Sequence, residues 1–350
     1  MLKLTGLERL LNVIQLKEPD VVPHFENLIH QRVRDAILPD ASYEDFAEFM
    51  DLDAVVFHDQ LNWRYETLDS SKKIMRNQWG AIVRFTSEDI AYPLEPALKN
   101  AEDLDTYLPP DPDLSWRYSN LERLVKRFKA DKAVIIFIND VFNMAKDNLL
   151  GDVEYFKGML RNPDIVEQAN EIALNYNLNY IKNCLDVGAD MVFIGGDWAE
   201  KKGPWASLGL IEKFIVPPFR KIAKYCHSRG IPCLKHSDGN IWPIFNIIIE
   251  AGADLIHPID PSAGMDIGET KFKYGHRVCL MGNIDCGTLL CSGSEKEVRE
   301  EVKNCIRKAG GGGGFICSSS NTIHSAVRPN NYVAMVNAIR EFGQYPLNFD

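Results

Sequence analysis

The sequence predicts a single (β/α)8 barrel over residues 1–350, an α/β fold with an N-terminal helical extension and a hairpin inserted after the second strand. Three observations predict it. Eight short apolar runs recur along the chain, amphipathic stretches join most of them, and pieces such as "GAD" and "RGIP" mark where helices give way to strands. Near-continuous apolar runs belong to strands buried on both faces of a parallel sheet, and glycine supplies the left-handed turn that ends a helix. Eight strand and helix units suit a closed barrel better than an open sheet.

In chain order, "MLKLTGLERLLNVIQLKEPD" carries leucines at helical spacing together with acids and no cleavage site. It reads as a first helix and not a signal peptide. The first two apolar runs are "DVVPHFE" and "LDAVVFHD". Residues 62–98 break the pattern with strand-like alternation around Trp79 and Gly80, then prolines, and are expected to form a hairpin over the barrel mouth. "YLPPDPDLSW" is a connecting loop. The remaining strands are "AVIIFIND", "ADMVFIGGD", "IPCLKHSDG", "ADLIHPID", "VCLMGNID" and "GFICSSS". "AGGGGGF" follows a helical stretch and precedes a strand, the reverse of a phosphate-binding loop, so it reads as a helix-to-strand turn.

Composition narrows the function. A net charge of −10 argues against sequence-independent nucleic-acid binding. No apolar run approaches the roughly 20 residues that cross a bilayer. Eight scattered cysteines include no Cys-x-x-Cys pair and point to a reduced, cytoplasmic compartment. Neither a Gly-x-Ser-x-Gly elbow nor a Gly-x-x-x-x-Gly-Lys loop occurs, which weakens hydrolase and kinase readings.

Barrel enzymes work at the C-terminal ends of their strands. Those ends carry Glu26, His58, Asp59, Asn139, Asp140, Asp197, His236, Asp238, His257, Asp260, Asn283, Asp285 and Ser318 to Asn321. Crowded acids and imidazoles raise one another's cost unless paired, and histidine nitrogen with carboxylate oxygen is a usable set for zinc. His236 stands out, because it ends an apolar strand and Gly239 lets the chain turn away at once. Trp63, Trp79, Trp198 and Trp205 fall near the same loops and are candidates to wall a planar ligand.

The series "RLLNVIQLKEPDVVP", "HSDGN", "AGADLIHPID", "GNID" and "GGGFICSSSNTIHSAVRPNNYVAMVNAIREFG" resembles the uroporphyrinogen decarboxylase superfamily over nearly the whole chain. The resemblance implies a (β/α)8 barrel. True decarboxylases of that superfamily bind tetrapyrrole with an Arg-Gln-Ala-Gly-Arg segment and a Gly-His-Gly-Ile turn. The corresponding places here read "HFENLIHQR" and "SSSNTIH", with Glu26 where arginines belong. The other branch, corrinoid-dependent methyltransferases, holds zinc with a His-x-Cys pair and a distant cysteine. His236 is kept, but Asp238 replaces the first cysteine and Asn321 the second, while Cys317 is expected to be an inward strand residue.

That departure implies removal of a methyl group from oxygen or nitrogen, not thiol methylation. The resemblance thus implies an O-demethylating methyltransferase that takes the methyl of a small donor, such as a methoxylated aromatic. It passes the methyl to cobalamin carried by a corrinoid partner protein. In this reading His236, Asp238 and Asp197 (or Asp260) hold zinc or a proton and do the chemistry. Glu26, His58, Asp140, His257, Asp260, Asn283 and Asn321 bind substrate. A homodimer is also implied. The alternatives are a decarboxylase of a non-porphyrin or porphyrin acid and a non-catalytic corrinoid or metabolite-binding barrel.

Overall fold

The computed structural model describes residues 3–129 and 131–349. In chain order its strands are β1 (Ala54–His58), β2 (Tyr65–Asp69), β3 (Ile74–Asn77), β4 (Ile82–Arg84), β5 (Tyr92–Glu95), β6 (Ala133–Asn139), β7 (Met191–Gly195), β8 (Ala199–Glu200), β9 (Gly203–Pro204), β10 (Cys233–His236), β11 (Leu255–His257), β12 (Cys279–Ile284) and β13 (Phe315–Ser319). Among the described residues, β1, β6, β7, β10, β11, β12 and β13 pair in that order into one curled parallel sheet, with helices between successive strands. This is the α/β architecture that the alternating runs predict, with seven strands rather than eight.

The missing strand is the first, and its chemistry explains why. Pro23 has no N–H to give a ladder, and the His24 N–H is spent on the Asp53 carboxylate at 2.7 Å. The segment nevertheless spans the two edges of the sheet. Cys317 N donates to Pro23 O (3.1 Å) on one side, and Asp53 N donates to His24 O (2.9 Å) on the other.

Side chains alternate across a strand, so each apolar run fills two cores. Ala54, Val56, Ala133, Ile135, Phe137, Met191, Phe193, Leu234, Leu255, Cys279, Met281 and Ile316 form the inner core, joined by Phe25 from the edge-spanning segment. Their neighbours in sequence, such as Val55, Ile136, Val192 and Leu280, face the helices. Cys317 belongs to that outer layer and not to the inner one. Leu10 and Val13 of the helix Gly6–Ile14 close the bottom of the inner core. That helix starts at a Thr5–Glu8 capping box, and buried Arg9 ties it to Asp20 and Asp53 at 2.7 and 2.8 Å.

The inserted segment is larger than a hairpin. Residues 65–95 form a four-stranded antiparallel sheet, β2–β3–β4–β5. The Trp79–Gly80 turn joins β3 to β4, with Asn77 Oδ1 accepting from the N–H groups of Trp79 and Ala81. Of the prolines that suggested an end to pairing, Pro93 sits in edge strand β5, where a lost N–H costs no ladder bond, and Pro96 follows its end. The glycine run 310–314 does connect the helix Glu295–Ala309 to β13. No helix of the described residues is long and apolar enough to cross a membrane, and the eight cysteines are free thiols.

Candidate active site

The inner alternation that stacks apolar residues through the sheet ends in polar ones at the top. His58 follows Val56, Asn139 follows Phe137, His236 follows Leu234, and His257 follows Leu255. His236 is the centre of this layer. Its Nε2 lies 3.4 Å from Asp197 Oδ1 and 3.6 Å from Asp238 Oδ1. Asp197 and Asp238 are further joined by a hydrogen bond from the Asp238 N–H to Asp197 Oδ1 at 2.9 Å. Among the described residues this trio is the one group whose ligand atoms converge closely enough to hold a metal ion.

Behind the trio, a 2.8 Å hydrogen bond joins His236 Nδ1 to His257 Nδ1. Burial disfavours the His236 cation, but the Asp238 and Asp197 carboxylates outweigh it and hold the imidazole above its usual pKa. Burial pushes the Asp197 carboxyl up, but His236, with the Asp238 N–H and Lys235, more than reverses it. Asp238 is pushed up to about 7 by burial and by the nearby Asp197 and Asp260 charges. Its Oδ2 accepts from the Asn321 amide, while its Oδ1 is buried with no hydrogen-bond donor.

The backbone that aims these groups is braced by Lys235, fully buried at 0% exposure. Its Nζ donates to Gly196 O (2.6 Å), His236 O (2.7 Å) and, at 3.3 Å, Asp140 Oδ2. Asp140 also accepts from Trp198 Nε1 and from the Asn143 N–H. Gly196 sits at φ +115°, and a Cβ there would fall 2.4 Å from Asp140 Oδ1. This position between β7 and Asp197 therefore requires glycine.

The trio opens into a cavity of about 280 Å³, lined by His236 and Asp197 and by His58, Phe137, Asn139 and Trp63. The inserted sheet forms its far wall through Tyr65, Asn77, Val83 and Pro93. Residues of the chain after β6, Asn143, Asp147 and Asn148, complete it with Asn27. No lysine or arginine of the described residues lines it. Trp63 is held in place by a 2.7 Å bond from its Nε1 to Asp59.

The structure therefore sorts the predicted site residues. His236, Asp238 and Asp197 come together, with His257 and Asn321 in contact behind them, and His58 shares the cavity. Asp260 braces two turns, accepting from the Gly239 N–H of the turn after β10 (3.3 Å) and from the Ser262 N–H of its own turn (2.8 Å). Of the predicted catalytic and substrate-binding residues, His236, Asp197 and His58 line the cavity itself, and three face away from it altogether. Glu26 and Asp140 lie one residue out of the inner register, so they point between sheet and helices. Asn283 leaves that register after Gly282 (φ +140°) and donates to Ile259 O, with Cys305 of the outer helix against its carbonyl.

Of the tryptophans, Trp79 packs on Tyr176, Trp198 is fully buried, and Trp205 is exposed. Sequence reasoning passed over Lys235, though a charge within an apolar strand is costly and was a usable signal. It also passed over Asn27, Asn143 and Asp147, which only the mouth geometry selects.

Glu26 yields a stability prediction. Burial raises its carboxyl to about 8, against the pull of two hydrogen bonds from Ser319. Below its ordinary value the group is protonated in both folded and unfolded chains and contributes nothing. As pH rises toward 8 the unfolded chain ionises it while the folded one cannot, so stability falls. Glu26→Gln abolishes this loss. Its stability relative to the parent should rise by about 2 kcal/mol or more between pH 5 and pH 8 in denaturant titrations. Parallel pH profiles for the two proteins would contradict this.

Comparison with known proteins gives the family. A model described as uroporphyrinogen decarboxylase (URO-D) matches residues 74–342. The chain belongs to the uroporphyrinogen decarboxylase family. The uroporphyrinogen decarboxylase of Actinobacillus succinogenes is 24% identical over 259 residues, covering 71% of this chain and 70% of that one. Among solved structures, a methyltransferase from Methanosarcina mazei superposes with a TM-score of 0.75 at 18% identity, over 97% of this chain and 99% of that one. A B12-independent methionine synthase from Shewanella sp. W3-18-1 follows at a TM-score of 0.53 and 11% identity, over 93% and 95%. At such identities these two likenesses establish a shared fold. Within the uroporphyrinogen decarboxylase family, this member has a site of one histidine and two carboxylates beneath a cavity without cationic lining.

Proposed function

We propose that this protein is a methyltransferase that removes a methyl group from a small oxygen-bound or nitrogen-bound donor, foremost a methoxylated aromatic, and passes it to the cobalt of a corrinoid protein. The observation that carries the reading is the trio itself. A tetrahedral zinc site with bonds of about 2.0–2.1 Å sets its ligand atoms roughly 3.4 Å apart. The 3.4 and 3.6 Å separations of His236 Nε2 from Asp197 and Asp238 fit that spacing. The buried, donorless Asp238 Oδ1 fits a cation better than it fits an empty wall.

His236, Asp197 and Asp238 would hold zinc, and donation of the His236 Nδ1 proton to His257 Nδ1 would leave Nε2 free to face the site. A zinc ion bound there supplies positive charge at the oxygen that leaves. The chain's residues do the rest. Phe137, Trp63 and Tyr65 offer flat apolar faces for a ring. The inserted sheet keeps bulk water from the reacting bond. A reduced corrinoid docked at the mouth would supply the electron pair that takes the methyl carbon, and the electrons of the broken carbon–oxygen bond would stay on the donor oxygen, beside His236, Asp197 and Asp238.

The curated relatives are decarboxylases, which makes decarboxylation the second reading. Uroporphyrinogen carries eight carboxylates, and the cavity presents Asp147 and Asp197 with no lining lysine or arginine. That electrostatic mismatch favours methyl transfer. The deciding experiment incubates the protein with cob(I)alamin and a panel of methoxyaromatics and methylamines and follows methylcobalamin by its absorption spectrum. Appearance of methylcobalamin with one donor class is expected. No spectral change with any donor would refute the proposal.

A further inference from the structure

The wall of the cavity across from the trio carries polar atoms that the fold leaves unserved. Asn27 and His58 are each only 5% exposed. Asn27 Oδ1 and His58 Nδ1 have no hydrogen-bond partner among the described residues, and neither does Asn143 Oδ1. All three residues line the same 280 Å³ cavity as His236. Nine buried side-chain atoms of the described residues lack a partner, so this one cavity holds a third of them. A buried polar group left unpaired is costly, and such a concentration is best offset by a bound ligand.

The kind of ligand follows from the atoms. The Asn143 side chain donates through Nδ2 to Asp147 Oδ2 at 3.2 Å, which commits its Oδ1 to accepting. Asn27 Oδ1 is also an acceptor. Of the other amides around the cavity, Asn77 is fully served: its Nδ2 donates to Asn148 Oδ1 at 2.7 Å and its Oδ1 accepts from the N–H groups of Trp79 and Ala81. His58 is held neutral, since burial and the His236 charge push it down to about 3. It can therefore give or take one hydrogen bond but brings no positive charge. The unserved positions call for O–H or N–H donors, and no lysine or arginine of the described residues lines the cavity to hold an anion.

The geometry also joins this wall to the trio. His58 stacks on Phe137 with centroids 4.4 Å apart, and Phe137 meets His236 edge-on at 6.2 Å. One cavity thus borders Asn27 and His58 as well as His236 and Asp197, so a single ligand can meet both the wall and the trio. Asn27 and His58 further border a second cavity of about 180 Å³, so other ligand groups have space behind them.

We propose that Asn27, His58 and Asn143 form a hydroxyl-binding subsite, and that the methyl donor is a neutral methoxylated compound bearing at least one free hydroxyl. The substrate class rests on the demethylation reading above. The subsite itself does not.

Isothermal titration of the purified protein with four probes tests both: 2-methoxyphenol, methoxybenzene, 2-methoxybenzoate and catechol. The 2-methoxyphenol should bind about tenfold or more tightly than methoxybenzene or 2-methoxybenzoate, the scale of one or two ligand hydrogen bonds. His58→Phe, which keeps the stack on Phe137, and Asn27→Leu should each cut that preference to about threefold or less while leaving methoxybenzene affinity unchanged. Equal binding of 2-methoxyphenol and methoxybenzene by the parent protein would overturn the subsite, whether or not the variants fold. So would failure of every hydroxylated ring to bind. Catechol, which has no methyl group, separates the two claims. Catechol binding that weakens in both variants, with no methyl transfer from 2-methoxyphenol to cob(I)alamin, keeps the subsite and overturns the substrate class.

Discussion

His236→Ala should strip the protein of stoichiometric zinc and slow methyl transfer by about a thousandfold or more. Loss of a Lewis acid removes several kcal/mol of transition-state stabilisation, and about 4 kcal/mol corresponds to a thousandfold. His236 is the only nitrogen in the trio, and both carboxylates converge on its Nε2. Without it, Asp197 and Asp238 remain as two like charges with nothing between them. His257→Ala should act more mildly, since it removes only the partner that orients the ring. Changes in such supporting groups cost about 10- to 100-fold in metal affinity or rate. Elemental analysis and the cobalamin assay, run on the same preparations, read both effects. A His236→Ala protein with full zinc content and unaltered turnover would remove the trio from the mechanism.

Lys235→Met should destabilise the fold by about 3 kcal/mol, as expected when one partner of a buried pair is removed. The Lys235 ammonium is fully buried and Asp140 is 2% exposed, so water cannot stand in for either. Burial lowers the Lys235 pKa, and Asp140 and Asp197 act to keep it charged. After Lys235→Met, Asp140 keeps its bonds from Trp198 Nε1 and Asn143 N but carries an uncompensated charge. Adding Asp140→Asn should therefore recover most of the loss, because a neutral amide oxygen still accepts from Trp198. Urea midpoints of the two single variants and the double variant measure the coupling. Additive losses would show that the pair is not what braces the strand ends.

Much of the fold was legible in the chain because strand signals are local. Seven of eight apolar runs became strands of one parallel sheet in the predicted order. "DVVPHFE" was misjudged because its pairing depends on Pro23, which lacks a donor, and on His24, whose N–H is captured by Asp53 far away in sequence. The insertion was undercounted for a related reason. Edge strands such as β5 tolerate proline, so the signal that ends an interior strand says little at a margin.

The candidate site was partly legible. His236 and Asp238 could be singled out from "CLKHSDGN", since a histidine, an acid and a glycine after an apolar run mark a strand end at a barrel mouth. That Asp197 joins them, and Asp260 does not, was undecidable from spacing alone. Parity decided other cases. Glu26 and Asp140 follow apolar runs as plainly as His58 does, yet each falls one residue out of the inward register.

The sequence by itself determined the alternation of strands and helices, the existence of the N-terminal helix and the histidine at the fifth apolar run, because each depends on neighbours within a few positions. Only the tertiary structure decided which acids meet that histidine, which amides face the cavity, and what roofs it. Those contacts join residues tens to hundreds of positions apart, such as Asn321 with Asp238 and Tyr65 with His236 around one cavity. Their meeting is set by sheet register and curl, which no local pattern of residues encodes.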